Sequence, residues 1–259
     1  MIERHEWNGL LTRGGRVAPR VSLVMPVAKS SQGATRAFLG RASDGRQYWI
    51  KLPGKDVDPR MLAAEQIVGR IGGLLGAATC PVETILVPGG LNWEYRPGEV
   101  LPECVGHASL QIKDATETRA LNRPKDDDNP ARYTSFAALY DWAWGDDVQG
   151  LEVLSKEGQF YSHDHGWYLP PGRAAWNAKI VEDYVDVPHP LGGVQVNGSE
   201  ARRLAQRLAS LARADIVSAL ASVPSTWGIA DRELESIGYY LERRAPQVAQ
   251  RLVESSGGA

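Results

Sequence analysis

Cysteine is nearly absent: Cys80 and Cys104 are the two in 259 residues. Two thiols make no disulfide framework and no metal-ligand spacing, which argues against a stapled secreted domain and fits a reducing compartment. A charge excess is lacking too. With 29 basic against 31 acidic side chains the net charge is −2, so neither nucleic acid nor an anionic membrane is expected as a partner. No run approaches the ~20 apolar residues of a spanning helix. The first residues, MIERHEWNGLL, lack a basic region followed by an apolar one, so no signal peptide is read there and a cytoplasmic location is expected. There is no internal repeat. What remains is an ordinary globular composition, 43% apolar and 23% charged, with eight tryptophans for the core and for lining a cleft. At ~150 residues per domain the length allows one large domain or two modest ones.

The pattern along the chain suggests two halves. "RAFLGRA" and "QYWIKLP" are short β runs joined by Ser43-Asp44-Gly45, a hairpin signal, and the small polar loop "AKSSQGAT" precedes them. Asp58-Pro59 opens a helix that carries Leu62, Ile67, Ile71, Leu74 and Leu75 and stops at Gly76. "VETILVP" reads as a buried strand. Residues 89–135 read as loop-rich, with "RPKDDDNPARY" exposed. "TSFAALYDWAWG" reads as an apolar helix with Trp142 and Trp144 in the core. "LEVLS" and "QFYSH" make a second hairpin around Lys156-Glu157-Gly158. Ser199 should cap one long helix reaching Leu220, and Arg202, Arg203, Arg207 and Arg213 should form its wet face. A second helix is expected from about Asp231 to Arg244, and Pro246 should start a third. The class is α+β: a β-rich N-terminal lobe with one helix, residues 1–105, and a mainly helical C-terminal lobe, residues 106–259.

Three features carry chemistry. In "YSHDHG", Asp164 stands at a strand end before Gly166, where the backbone can turn sharply beside a ligand. Upstream, "WGDDVQG" puts Asp146 and Asp147 at the end of the apolar helix, and a hairpin joins the two sites. Converging carboxylates suit a hard cation such as Mg²⁺, with phosphates and water completing its shell; one of them could instead orient a hydroxyl nucleophile. Lys51 lies in an apolar strand and needs a partner, because an unpaired buried charge is costly. Glu65, fourteen residues on and mid-helix, can supply it. A strand lysine paired to a glutamate on the next helix is how protein kinases hold nucleotide phosphates. The loop Ser30, Ser31, Gln32 and Gly33 can drape backbone N–H groups over phosphate oxygens. His163 and His165 lack the third histidine a zinc set needs; His165 reads as structural, its ring bonded to backbone.

These residues, in this order along residues 21–170, resemble a HipA-like kinase of the wider protein-kinase and phosphatidylinositol-kinase-like group. The resemblance implies a bilobal protein-kinase-like fold and an ATP- and Mg²⁺-dependent transfer of phosphate to a hydroxyl of a protein or small molecule. It implies that Lys51 binds phosphates, Glu65 holds Lys51, Asp164 binds Mg²⁺, and Asp146 or Asp147 is the catalytic-loop aspartate. The family pattern has Arg after that aspartate and Asn five residues on. Here Val148 follows Asp147, positions 151 and 152 are Leu151 and Glu152, and Gln149 stands as the substitute second ligand. Such kinases also phosphorylate a serine in the phosphate loop, here Ser30 or Ser31. A nucleotide-holding pseudokinase and a metal-dependent hydrolase are the alternatives.

Overall fold

The chain runs through helix α1 (Leu10–Gly14), strands β1 (Val21–Lys29), β2 (Phe38–Ala42) and β3 (Gln47–Lys51), helix α2 (Pro59–Leu75), and strands β4 (Val82–Val87), β5 (Glu94–Arg96), β6 (Glu99–Val100), β7 (Cys104–Leu110) and β8 (Ala115–Thr118). Then come α3 (Asn129–Ala143), β9 (Gly150–Val153), β10 (Gln159–Ser162), α4 (Ala178–Asp183), α5 (Gly198–Ala209), α6 (Arg213–Ala221) and α7 (Asp231–Ser256). The structure, a computed structural model, describes residues 2–30, 36–54, 57–153, 155 and 159–256. The expected turn Lys156-Glu157-Gly158 and the loop residues Ser31, Gln32 and Gly33 lie outside the described residues.

Five strands close into a barrel in the order β1-β2-β3-β7-β4, sealed by a parallel contact of Val21 and Ser22 with Ile85 and Leu86. Period-2 alternation fills it: Leu23, Phe38, Tyr48, Ile50, Ile85 and Ala108 are buried together. The β2–β3 hairpin turns at Gly45, whose φ is +80° and whose N–H donates to Ala42 at 2.9 Å. Since Ile50 points into the barrel, Lys51 points out of it, toward α2. Asp58 caps α2 by accepting from Arg60 N, Pro59 occupies its first turn, and Gly76 ends it at φ +73°. Leu62, Ile67, Ile71 and Leu75 of α2 join the second core, which the helical half completes.

In that half, α7 is the spine on which α3, α4, α5 and α6 pack. The small sheet β10-β9-β8 packs β10 against α3, and Ser162 at its end bridges to Thr79 between α2 and β4. The result is an α+β fold, β-rich first and helical afterwards. Among the described residues no helix is long and apolar enough to cross a membrane.

Several expected elements differ. Residues 89–135 hold four strands; β5, β6 and β8 are short and polar, and β7 ("CVGHASL") has no clean alternation to betray it. Helix α3 starts at Asn129, earlier than its apolar run, with Asn129 fully buried. The long helix expected from Ser199 is two helices. Asn197, not Ser199, caps α5 by accepting from Glu200 N at 3.0 Å, and Ser210–Ala212 separate it from α6. Its arginines are not merely a wet face, since Arg207 donates to Leu74 O and Arg213 pairs with Glu242 and Glu6. Conversely, Pro246 starts no new helix but lies inside α7. It removes one backbone donor, yet Leu241, Ala245, Val248 and Leu252 on both sides stay buried, so packing carries the helix through.

The boundary expected after residue 105 falls inside β7. The first residues lie on the helical half: Trp7 Nε1 donates to Glu242 at 2.7 Å, and Arg16 pairs with Asp231 at 2.5 Å.

Candidate functional site

Lys51, the last residue of β3, extends its ammonium to two carboxylates. One is Glu65 Oε1, from the buried side of α2; the other is Asp164 Oδ1 at 2.7 Å, just past the end of β10. Glu65 is 2% exposed, and its second oxygen accepts the His165 N–H at 3.1 Å. A single carboxylate therefore ties barrel, α2 and the segment after β10 together. Gly166 makes room for it: a Cβ there would stand 3.3 Å from Glu65 Oε1. Asp164 itself sits at φ +55°, a backbone region that non-glycine residues rarely hold.

One ammonium between two acids sets the electrostatics. Burial pulls the Lys51 ammonium down, but Glu65 and Asp164 override it and hold it above the usual lysine range. Burial also pushes at Asp164, where Lys51 wins and keeps the carboxyl well below the usual range. Glu65 is the more deeply enclosed of the two acids, and burial outweighs Lys51 there, raising it to about 7.

Beneath the triad run two buried polar threads that the sequence did not announce. On β7, cross-strand from Lys51, His107 is fully buried. Its Nδ1 meets Gln66 Oε1 at 3.1 Å and its Nε2 meets Ser109 Oγ at 3.0 Å, while Gln66 Nε2 donates to Ser222 Oγ at 3.3 Å. Burial drives His107 well below the usual histidine range. The second thread explains "SHDH". His165 Nε2 meets Ser162 Oγ at 2.8 Å, and Ser162 Oγ meets Tyr140 OH at 2.9 Å. Thus His165 is buried, but it bonds a side chain rather than backbone; burial lowers it to about 3 and lowers His163 to about 4.

The acidic loop sits at the C-terminal end of α3. Trp144 ends that helix at φ +57° and is only half-buried; its ring stacks on His189 with centroids 4.0 Å apart. Trp142 is the core residue. Asp146 is exposed, and its Oδ2 lies where a Cβ on Gly172 would be 2.9 Å away. Asp147 Oδ2 accepts from Gln149 Nε2 at 2.7 Å, and Gln149 O accepts from His163 N at 3.2 Å. So Lys51, Glu65 and Asp164 are in direct contact, while Asp147 and Gln149 form a separate pair. Among the described residues no three His, Cys, Asp or Glu side chains gather to hold a metal ion by themselves. Ser30 N donates to Ala37 O at 2.9 Å, across the base of the loop whose next residues lie outside the described ones.

Residues 24–143 match the HipA-like kinase family. The HipA-like segment spans the barrel, α2 and α3, and so includes Lys51 and Glu65 but ends before Asp146 and Asp164. No curated protein sequence matches the chain. Among solved structures it is similar to the Helicobacter pylori proinflammatory kinase CtkA, with a TM-score of 0.56 at 11% identity, covering 89% of this chain and 97% of that one. The Golgi casein kinase is similar at a TM-score of 0.52 and 11% identity, over 99% of this chain and 78% of that one, and its Mn/ADP-bound form aligns at the same score. At such identity the likeness is one of fold: the chain has a protein-kinase-like fold. Together with the family match it supports a phosphotransferase.

Proposed function

We propose that the protein is an ATP- and Mg²⁺-dependent kinase that phosphorylates a hydroxyl, with serine or threonine of a protein as the acceptor class. The observation that carries this reading is the Lys51 ammonium, held ionised between Glu65 and Asp164 where the barrel meets the helical half. In that role Lys51 contacts the nucleotide phosphates, and Glu65 keeps its ammonium from folding away. The donor set fits a hard cation. Asp164 offers a carboxylate with about a third of its side chain exposed, and Asp147 with Gln149 offers further oxygens. Since no third acid joins them among the described residues, phosphate oxygens and water would be its other ligands, as Mg²⁺ prefers. Mg²⁺, when bound, supplies charge neutralisation on the phosphates. A neighbour of the same fold holds Mn and ADP, which supports a nucleotide and a divalent cation here.

Asp146, exposed beside Gly172, is the group assigned to the acceptor. It orients the hydroxyl and accepts its proton as the oxygen bonds to the γ-phosphorus, the β–γ bridging bond breaks and ADP leaves. Rate comes mainly from positioning and charge stabilisation. The test is phosphate transfer from γ-labelled ATP with Mg²⁺, followed by intact mass. Asp146→Asn should slow transfer by ~10²-fold or more, as loss of a general base does, and Asp147→Asn should slow it less. A folded wild type that labels neither itself nor any acceptor contradicts the kinase reading. Nucleotide binding without transfer would favour a pseudokinase, the reading to which Asp147, directly after Asp146 where the family has arginine, points.

A further inference from the structure

Beyond Asp164 the chain takes an unusual path. Leu169, Arg173 and Ala174 have φ of 68°, 56° and 59°, and Gly172 between them has 96°. Non-glycine residues hold such conformations only where their surroundings fix them, and they cluster at functional sites. This path presents a built shelf. Arg173 N donates to Trp167 O at 3.0 Å, which closes the loop on itself. The Arg173 guanidinium then lies over the Trp167 ring at 5.3 Å from its centroid. Both side chains face solvent, Trp167 at 39% exposure. No ion pair of Arg173 is formed among the described residues. The residue before it, Gly172, lies beside Asp146: a Cβ on it would stand 2.9 Å from Asp146 Oδ2.

We infer that the Trp167–Arg173 shelf is the acceptor subsite and takes a peptide with an acidic residue close to its serine or threonine; this rests on the kinase reading above. Stacking occupies the flat face of the guanidinium and leaves its in-plane N–H groups for a carboxylate, which they match in bidentate fashion. The indole offers apolar area for the neighbouring residues of the peptide. The shelf is open rather than walled, which suits an extended chain laid across it; small-molecule sites enclose most of their ligand. Because Gly172 abuts Asp146, a carboxylate on Arg173 leaves the acceptor hydroxyl within reach of Asp146.

The experiment uses two serine peptides of equal length, one flanked by glutamates and one by lysines, with γ-labelled ATP and Mg²⁺. Wild type should use the glutamate peptide better in kcat/KM, by up to about 5-fold, the scale of one exposed ion pair. Arg173→Ala should remove that preference through KM, Arg173→Glu should reverse it, and Trp167→Ala should raise KM for both peptides. The rise in Tm on adding Mg-ATP should be the same in all four proteins, which also shows that each is folded. Equal use of both peptides by wild type, or a preference untouched in Arg173→Glu, overturns the inference. If neither peptide is phosphorylated while Mg-ATP still raises Tm, the acidic-peptide assignment falls and nucleotide binding stands. No shift and no transfer would take down the kinase reading itself.

Discussion

Lowering the pH from about 7 to about 5.5 should weaken the wild type more than the variant His107→Gln. His107 is fully buried and sits in a polar thread that suits the neutral ring: one nitrogen donates to Gln66 Oε1 and the other accepts from Ser109. Burial dominates and drives its pKa well below the usual value, with Lys51, Asp164, His165 and Arg70 acting on it as charged or titratable groups, and Glu65 Oε2 stands 3.8 Å from its Nε2. The sign follows from linkage. The unfolded chain takes up a proton as pH falls below ~6.5 and the folded one does not, so the stability that the neutral ring carries is lost progressively below that pH. For one such group the loss between those two pH values is ~1.2 kcal/mol. Glutamine keeps part of the hydrogen bonding and cannot titrate. At about pH 7 the variant should start ~1 kcal/mol less stable, the worth of one impaired hydrogen bond. Glu65, raised to about 7 and shifting stability the opposite way, is common to both proteins. Urea unfolding at each pH, with unchanged m, reads the two stabilities. The gap between the proteins should close on acidification, the wild type losing ~1.2 kcal/mol relative to the variant. A gap that stays constant would mean that the folded state protonates His107 as readily as the unfolded chain, and the burial argument would be wrong.

Three further substitutions probe the frame. Gly238→Ala puts a Cβ 2.1 Å from Trp7 Cζ3, so α7 and the N-terminal segment must part; the expected cost is ~1–3 kcal/mol in thermal unfolding, and an unchanged Tm would refute the seating of Trp7. Gly166→Ala brings a Cβ to 3.3 Å from Glu65 Oε1 and should weaken Mg-ATP binding by about 5-fold, ~1 kcal/mol, with unaltered binding as the contrary result. Asp141→Ala strips the partner from Arg244, which is fully buried, and from Arg251; a loss of ~3–5 kcal/mol is expected in urea unfolding, and a loss under ~1 kcal/mol would show the ion cluster to be dispensable.

How far the residues could be read follows from where the physics is local. The β2–β3 hairpin and α2 are spelled out by Asp44-Gly45, Asp58-Pro59 and Gly76, because turns and caps depend on a few adjacent residues. The partner of Lys51 was legible from cost, since an ammonium on an apolar strand needs a carboxylate and the following helix carries Glu65. Strand β7 was not: "CVGHASL" pairs with both β3 and β4, and that long-range pairing, not its own pattern, makes it a strand. Helix α7 passes Pro246 for the same reason, through burial supplied by other helices. The thread His107–Gln66–Ser222 joins residues of β7, α2 and the end of α6, and no spacing in one chain announces such a meeting. Trp167 and Arg173 could not be paired in advance because their stack depends on a run of positive φ values. Asp164 stood out by its glycine and its neighbours, but its contact with Lys51 required the whole barrel to be in place.

The most direct test of the central claim is calorimetric titration of ATP into wild type, Lys51→Met and Asp164→Asn, with and without Mg²⁺. If the contact of Lys51 with Glu65 and Asp164 marks a nucleotide phosphate site, wild type binds ATP and binds it more tightly with Mg²⁺. Lys51→Met should lose about tenfold or more in both conditions, and Asp164→Asn should lose mainly the gain that Mg²⁺ brings. Wild type that binds no ATP, or Lys51→Met that binds it as tightly as wild type, would contradict the account.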